Sequence, residues 1–252
     1  MILCASNYVG YKITEFLINS NEKIDYLVLD KNNSGQFNEK IKSLFLSKFN
    51  KDQIFFHNEF VENNILDLLS NKKIELGILA WWPYILKGKA ISIPKKGWLN
   101  FHPSYLPYNK GKDPNFWCLV ENTKCGVTLH YIDENIDTGD IIIQEEVDTT
   151  WEDTGKSVYE KSLEAIIELF KNNFQLIKTN SLSNIKQKSN EGTFHHRKEI
   201  FEEIIIKLDK KYSGRELLNI IRAKMFSPYS NAYFIDNGKK YSVEVKIREI
   251  KE

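Results

Sequence analysis

An amide and an imidazole two residues apart mark the most informative stretch of the chain, LNFHPSYLPYNKGKDPNFW, residues 99–117. Residues i and i+2 of a strand point to the same side, so Asn100 and His102 would face the same space. Pro103 follows directly and is expected to end the strand. An amide N–H donor beside an imidazole suits reactions in which a carbonyl oxygen gains charge while a proton moves. The pair therefore indicates a catalytic site.

A carboxylate completes this set. Asp137 lies in a DTG turn between two apolar runs, 35 residues beyond His102. At the carboxyl edge of an α/β sheet it could reach the imidazole, fix its tautomer and stabilise its cation. The three groups fit acyl transfer to a nucleophile supplied by the substrate, because Ser104 lacks the G-x-S-x-G setting of an enzyme nucleophile. Taken singly, each residue also fits a plain strand-end or turn role.

The composition argues against a nucleic-acid or membrane partner. Lys plus Arg (35) nearly balances Asp plus Glu (34), and 42% of the residues are hydrophobic. No apolar run approaches about 18 residues and no basic segment follows Met1, so we predict neither a membrane span nor a signal peptide, and a cytoplasmic location. Cys4, Cys118 and Cys125 lie in apolar runs without ligand spacing, which predicts buried free thiols in a reducing compartment.

The first 180 residues alternate strand and helix signals. Apolar runs such as IELGILAW, residues 74–81, are separated by amphipathic segments, which indicates an α/β fold with a mostly parallel sheet covered by helices on both faces. A long helix is predicted from a cap at Asp153 or Thr154 to Lys178. The other predicted strands span 1–6, 24–30, 53–57, 97–102, 126–132 and 140–147, and the other helices 8–19, 38–49, 61–70 and 115–121.

A small α+β appendage is predicted at the C-terminal end. We expect a catalytic domain over 1–180, a polar linker over 181–212 and a helix–hairpin subdomain over 213–252. Ser213 and Glu216 form a capping box before the helix LLNIIRA. The Asn237–Gly238 pair predicts a hairpin turn between AYFID and the alternating run YSVEVKI.

The segments WLNFHPSYLPYNKG and GVTLHYIDENIDTGDII resemble the N10-formyltetrahydrofolate-dependent formyltransferases. This family includes the glycinamide ribonucleotide, methionyl-tRNA and sugar-nucleotide N-formyltransferases, and the resemblance runs from about Ile74 to Thr154. It implies a Rossmann-like fold, N10-formyltetrahydrofolate as co-substrate and no metal. By resemblance, Asn100 would hold the formyl oxygen, His102 would accept or relay a proton, and Asp137 would orient and charge-stabilise His102.

The resemblance also implies a folate pocket. In the family, backbone near the end of the fourth strand and in the DTG loop grips the pterin ring. The matching positions in this sequence are Tyr84, Ile85, Leu86, Asp133 and Ile136. Trp81 and Trp82 precede them and fit core packing, Trp81 more readily than Trp82.

Two segments bear on the acceptor. The run LLNIIRAKMFSPYSNAYF, residues 217–234, resembles an element found after the catalytic domain in methionyl-tRNA and sugar formyltransferases, and GKDPNFW resembles the sugar-nucleotide enzymes. We therefore predict transfer to the amino group of a nucleotide-linked amino-deoxysugar, dTDP-4-amino-4,6-dideoxyglucose or a close relative, for surface polysaccharide and O-antigen biosynthesis. Methionyl-tRNA or another small amine as acceptor, and a non-catalytic folate or nucleotide-sugar binding module, remain as alternatives. We also expect a homodimer.

Several polar positions have two interpretations. Backbone N–H groups at Ser6, Asn7 and Gly10 could meet a phosphate at a helix N-terminus, although a plain strand-to-helix turn fits equally. Three polar residues after the predicted strand 97–102 could face the acceptor's pyrophosphate or lie in a solvated loop: Asn109, Lys110 and Lys112. The segment from His195 to Arg197 fits nucleotide contact or a solvated loop. His130 fits a structural histidine within a strand.

Overall fold

A computed structural model describes residues 1–31, 35–188 and 190–250 of the chain. Its central feature is a seven-stranded sheet with strand order β3-β2-β1-β4-β5-β7-β8. The strands are β1 (Ile2–Ala5), β2 (Tyr26–Leu29), β3 (Ile54–Phe56), β4 (Gly77–Ala80), β5 (Trp98–His102), β6 (Lys110–Gly111), β7 (Gly126–Tyr131), β8 (Ile141–Glu146), β9 (Phe194–His195), β10 (Tyr233–Asp236) and β11 (Lys239–Ser242). The helices are α1 (Asn7–Asn19), α2 (Asn38–Leu46), α3 (His57–Phe60), α4 (Asn63–Ser70), α5 (Pro114–Val120), α6 (Gly155–Thr179), α7 (Glu199–Glu203) and α8 (Gly214–Lys224).

The central strands of the sheet are parallel and buried on both faces. Strand β1 pairs in parallel with β2 and β4, β2 with β3, and β4 with β5. The residues of β1 and β4 are all buried, as expected for strands that are covered on both sides. The predicted α/β fold with a mostly parallel, Rossmann-like sheet is confirmed, and each strand and helix predicted in the first 180 residues is present with ends shifted by a few residues.

The chain forms two compact units, and each is built from three separate stretches. The first unit comprises 1–102, 129–143 and 166–186, and it contains most of the sheet. The second comprises 103–128, 144–165 and 187–252. The predicted boundaries at 180 and 212 remain a prediction. The predicted linker region contains β9 and α7.

Aromatic packing in the first unit sets the orientation of β5. The Phe101 ring lies 5.1 Å from the Phe170 ring of α6, and Phe170 and Phe174 pack edge-on against Phe16 of α1. Because side chains alternate along a strand, burying Phe101 on this side turns Asn100 and His102 to the other side. An apolar contact thus determines where the predicted catalytic pair points.

The second unit has its own core beneath the C-terminal elements. Helix α8 begins at the predicted capping box, in which the Ser213 hydroxyl accepts a hydrogen bond from the Glu216 N–H. The predicted Asn237–Gly238 turn joins β10 and β11, and both of its residues have positive φ angles, as this hairpin type requires. The buried residues of this core include Phe116, Trp117, Leu119, Val158, Ile204, Ile220, Ala223 and Ala232.

The cysteine prediction is wrong for two of the three residues. Cys118 and Cys125 form a disulfide, with their Cα atoms 5.3 Å apart, whereas Cys4 is free and buried. The pairing arises because α5 ends at Val120 and the chain returns to begin β7 at Gly126, which brings the two cysteines to the same place. Their apolar surroundings, which suggested free thiols, belong to the core of the second unit.

The predicted strand YSVEVKI is also too long. Strand β11 ends at Ser242, although the Val243 N–H still donates a hydrogen bond to the Ala232 carbonyl oxygen. The alternation that suggested a longer strand persists in the burial, since Val243, Val245 and Ile247 are half-buried while their neighbours are exposed. In the described part of the chain, every helix is too short or too polar to cross a membrane.

Candidate active site

Four polar side chains converge at the carboxyl ends of β5 and β7. Asp137 Oδ2 lies 3.6 Å from His102 Nδ1, and Asp137 Oδ1 lies 3.7 Å from His130 Nε2. The Asn100 amide nitrogen is 3.1 Å from His130 Nε2. His102, His130 and Asp137 are largely buried, and the two imidazole rings are 6.2 Å apart at nearly a right angle. The structure therefore brings together the three residues that the spacing singled out.

The loop between β7 and β8 holds the carboxylate in this place. Asp137 has a φ of +56°, a left-handed conformation that aspartate tolerates better than most residues. Asp133 accepts hydrogen bonds from the Asn135 N–H and the Thr138 hydroxyl, which closes the loop on itself. Gly139 is required because a Cβ atom at this position would lie 1.9 Å from the Tyr131 carbonyl oxygen. The DTG sequence is thus explained by local backbone demands.

His130 was interpreted from sequence as structural, yet it belongs to the site. It is 1% exposed, and burial lowers its pKa to about 4, while Asp137 acts in the opposite direction and His102 adds to the lowering. The ring is therefore neutral near pH 7. Only its position on the strand beside β5 places it next to Asn100, and that neighbour relation was not visible in the local sequence pattern.

This arrangement can perform proton transfer next to a polarised carbonyl. The Asn100 amide presents N–H groups that can stabilise charge on an oxygen. The His102 imidazole can take a proton, and the carboxylate 3.6 Å away favours the cation that results. No step requires a nucleophile from the protein, so the chemistry fits the attack of a substrate amine on a carbonyl group.

A second cluster lies at the carboxyl ends of β2, β3 and β4. The Tyr84 ring stacks on the His57 ring at 3.8 Å, and its hydroxyl donates a hydrogen bond to Asp30. Trp82 packs edge-on against both rings. Burial lowers the pKa of His57 and raises the pKa of Tyr84, so both are neutral at pH 7. His57 Nδ1 and Trp82 Nε1 are buried without a hydrogen-bond partner among the described residues.

The predicted folate residues are distributed unevenly around this region. Ile85 is 60% exposed, Ile136 is exposed, and Leu86 is buried in the core. Asp133 is exposed and serves the loop described above. For the tryptophans the expectation is reversed: Trp82 lies in the core, whereas Trp81 is half-buried with a left-handed φ of +57°. Sequence alone did not show that the chain turns at Trp81.

The predicted phosphate position after β1 is a tight turn. Ser6 is buried, and its N–H donates to the Ala80 carbonyl oxygen of the neighbouring segment. Asn7 begins α1 with a φ of +56°. A Cβ atom on Gly10 would lie 2.9 Å from the Ala5 carbonyl carbon, so close packing against β1 explains this glycine.

The predicted acceptor residues after β5 have different surroundings. Asn109 is fully buried, and its amide donates to Glu121 while accepting from Thr123. Lys110 is largely buried, and its ammonium group approaches the Glu191 carbonyl oxygen at 3.4 Å. Lys112 is exposed. Of the three, only Lys112 presents its side chain to solvent.

The loop around His195 is not simply solvated. His195 is buried, stacks on Trp117 at 3.8 Å, and has its two ring nitrogens 3.0 Å from the carboxylates of Glu121 and Glu199. The alternative of a solvated loop is therefore wrong for this residue, because β9 pairs with β6 and carries it inward. His196 is exposed. The described residues contain no group of three or more side chains arranged as metal ligands.

Comparison with known proteins places this geometry in context. Residues 19–172 match the formyl transferase family, and residues 201–249 match the N-formyltransferase dimerization C-terminal domain. The first match covers β2 to β8, including all four polar residues of the site.

Two relatives carry names that refer to different acceptors. The chain is 30% identical over 202 residues to the methionyl-tRNA formyltransferase of Fusobacterium nucleatum, covering 79% of this chain and 64% of the relative. It is 32% identical over 148 residues to the dTDP-4-amino-4,6-dideoxyglucose formyltransferase of Mycobacterium bovis, covering 58% and 63%. The chain thus spans less than two thirds of the length of these two relatives.

A solved structure extends the similarity over nearly the whole chain. The N-formyltransferase of Helicobacter canadensis, in complex with folinic acid and dTDP-3-aminofucose, superposes with a TM-score of 0.70 and 26% identity. The alignment covers 95% of this chain and 84% of that one. With its fold, its site and its sequence in agreement, the chain belongs to the formyl transferase family.

Proposed function

We propose that this protein transfers a formyl group from N10-formyltetrahydrofolate to the amino group of a nucleotide-linked amino-deoxysugar. The observation that carries the proposal is the convergence of Asn100, His102 and Asp137, with the carboxylate 3.6 Å from the imidazole. A binding module would have no use for this proton-transfer geometry. The similarity to formyl transferases supports the same reaction.

Each residue of the site has a role in this reaction. An amide N–H of Asn100 stabilises the formyl oxygen as it gains charge. His102 accepts the proton that the acceptor amine loses, and Asp137 stabilises the resulting imidazolium. A C–N bond forms to the acceptor, the C–N bond to the folate nitrogen breaks, and that nitrogen gains a proton.

The second cluster, at the carboxyl ends of β2, β3 and β4, fits the folate. The stacked neutral rings of His57 and Tyr84 suit a planar ligand. The buried nitrogens of His57 and Trp82, which have no hydrogen-bond partner among the described residues, could form hydrogen bonds with polar atoms of that ligand. The folate supplies the formyl group, and Tyr84, Ile85, Leu86, Asp133 and Ile136 remain its proposed contacts. The folinic acid in complex with the similar Helicobacter canadensis enzyme supports a folate as the co-substrate.

A dTDP-linked 4-amino- or 3-amino-deoxyhexose is the proposed acceptor, with dTDP-4-amino-4,6-dideoxyglucose foremost. The Mycobacterium bovis enzyme is named for this sugar, and the Helicobacter canadensis enzyme is in complex with dTDP-3-aminofucose and matches 95% of this chain, which supports the proposal. Such a product would be used in surface polysaccharide or O-antigen synthesis. At the start of α1, Asn7 is proposed to contact the acceptor, because the N–H groups of Ser6 and Gly10 already donate to the carbonyl oxygens of Ala80 and Ser6. In the loop after β5, Lys112 is the exposed candidate, whereas Asn109 and Lys110 shape that loop.

Transfer to methionyl-tRNA is the second candidate, because the similarity to the Fusobacterium nucleatum enzyme covers 79% of this chain. The deciding experiment incubates the protein and N10-formyltetrahydrofolate with dTDP-4-amino-4,6-dideoxyglucose, dTDP-3-aminofucose, a UDP-linked amino sugar or charged initiator tRNA. We expect a mass gain of one formyl group on a dTDP-sugar. Formylation of the tRNA alone would refute the sugar assignment, and no product with any acceptor would refute both.

We also propose a homodimer assembled through the C-terminal region. The matching domain is named for dimerization. Ile235 on β10 is an exposed apolar residue on the hairpin of this region. Its burial against a second copy would remove apolar surface from water.

A further inference from the structure

His130 is held by hydrogen bonds at both ring nitrogens. Its Nδ1 lies 2.7 Å from the Tyr131 carbonyl oxygen, which can only accept, so Nδ1 must carry the hydrogen. The ring is neutral because it is almost completely buried and its pKa lies well below 7. A neutral ring with its hydrogen on Nδ1 has a lone pair at Nε2. The environment of His130 therefore creates a buried hydrogen-bond acceptor.

This acceptor selects one orientation of the Asn100 amide. The Asn100 nitrogen lies 3.1 Å from Nε2 and donates one N–H to it. If the amide were turned by half a rotation, its oxygen would face the lone pair, and two acceptors would meet without a hydrogen. The Asp137 carboxylate is 3.7 Å from Nε2, beyond hydrogen-bond distance, so it does not replace the amide.

We propose that His130 is a positioning residue that accepts one N–H of Asn100 and thereby aims the second N–H at the formyl oxygen. An unanchored amide would divide its time between donor and acceptor orientations toward the reacting oxygen. His130 does not touch the substrate and acts only through Asn100. The aiming of the second N–H at the formyl oxygen rests on the proposed function. The tautomer and the amide orientation follow from the burial and the hydrogen bonds of His130.

The tautomer can be measured without any activity assay. In protein labelled with ¹⁵N-histidine, His130 →Gln identifies the His130 signals among the five histidines of the chain. We expect a neutral ring at pH 7, with hydrogen on Nδ1 and none on Nε2, and we expect Asn100→Ala to shift the Nε2 signal. Hydrogen on Nε2, a cationic ring, or no response to Asn100→Ala would overturn the proposal.

A double-mutant cycle tests the functional step with the acceptor that the mass assay identifies. We expect His130→Leu to lower kcat/KM by about 10- to 100-fold, the scale of a misaligned group, with folinic acid affinity unchanged. His130→Gln, which can place an acceptor oxygen near the same point, should recover part of this loss.

The effect of His130→Leu in the Asn100→Ala protein shows whether His130 acts through Asn100. Asn100→Ala should lower kcat/KM by about 10²- to 10³-fold, and adding His130→Leu should cause no further loss. The proposal would be overturned if His130→Leu lowered kcat/KM as much in the Asn100→Ala protein as it does in the wild type. It would also be overturned if His130→Leu alone left kcat/KM at the wild-type value. Should His130→Leu fail to fold, the cycle is run with His130→Gln and the tautomer measurement still decides.

Discussion

At the scale of single residues, His102 and Asp137 carry the strongest prediction. We expect His102→Ala to lower kcat by about 10²- to 10⁴-fold, because the base that receives the amine proton is lost. Asp137→Asn keeps a side chain that tolerates the left-handed backbone and removes only the charge beside the imidazole, so it should also be strongly impaired. Formylation is measured by mass spectrometry and folinic acid binding by calorimetry.

A matched control separates charge at the site from charge elsewhere. Asp52→Asn removes an exposed carboxylate outside the site and should leave turnover unchanged. Wild-type turnover in either site variant would exclude the assigned role. Loss of folinic acid binding together with turnover would instead indicate a binding or folding defect.

His130 should make stability depend on pH. Its pKa is about 4 in the folded protein, against 6.5 for an ordinary histidine, so between these values the unfolded chain binds more protons. The free energy of unfolding should therefore fall by up to about 3 kcal/mol as the pH is lowered from 6.5 to 4. Above pH 6.5 the ring is neutral in both states, and this loss is absent. Denaturant titrations measure this free energy at each pH, and between pH 6.5 and 4 it should fall more steeply for the wild type than for His130→Gln protein, which lacks the titrating ring. The same pH dependence in both proteins would contradict the prediction.

Sequence predicted this site in part. Asn100 and His102 were recognisable because strand alternation is a local rule. A DTG turn is common by itself, so Asp137 was recognisable only in combination with this pair and through the family resemblance. The contribution of His130 depends on a neighbouring strand and on a tautomer set by the Tyr131 carbonyl, neither of which is written in local spacing. Asn109 was misleading for a similar reason, since its partners Glu121 and Thr123 lie on other elements.

At the scale of elements, the DTG loop makes a sharp prediction about its glycine. In Gly139→Ala the new Cβ would lie 1.9 Å from the Tyr131 carbonyl oxygen, so the loop must move and Asp137 with it. We expect kcat/KM to fall by at least about 10-fold, because a displaced Asp137 no longer aligns with His102. We also expect a lower melting temperature. Gly214→Ala is the control, because a Cβ there meets no atom within 4 Å and alanine favours the helix. Equal behaviour of the two variants would contradict this account of the loop.

The disulfide between α5 and β7 is a second element-scale prediction. Denatured, unreduced protein should show one alkylatable thiol, Cys4, and reduction should expose the other two. Cys118→Ser should lower the free energy of unfolding by about 2–3 kcal/mol, the loop-closure value for a loop of this size. Three reactive thiols before reduction would show that the pair is not joined. The sequence could not indicate this bond, because both cysteines stood in apolar runs typical of free thiols.

At the scale of the whole molecule, the hairpin residues should control assembly. Ile235→Glu places a charge on an exposed apolar position of β10, and we expect the dimer dissociation constant to rise by about 10-fold or more. Light scattering across a dilution series measures the mass, and circular dichroism verifies the fold. Val61→Glu, at an exposed apolar residue of the first unit, should leave the mass unchanged. A monomer at all concentrations in the wild type would refute the dimer.

The architecture as a whole was predictable from periodicity, since buried parallel strands separated by helices leave a strong pattern. The grouping of stretches into two compact units depends on neighbours in three dimensions, and residues 103–128 and 144–165 group with residues 187–252. The predicted boundaries at 180 and 212 stay a prediction.

That interleaving has an evolutionary consequence. Each unit draws on three stretches of chain, so the polypeptide passes from one to the other several times. A single recombination crossover cannot exchange either unit intact between related genes. Chimaeras with one junction would therefore combine fragments of both units from two parents.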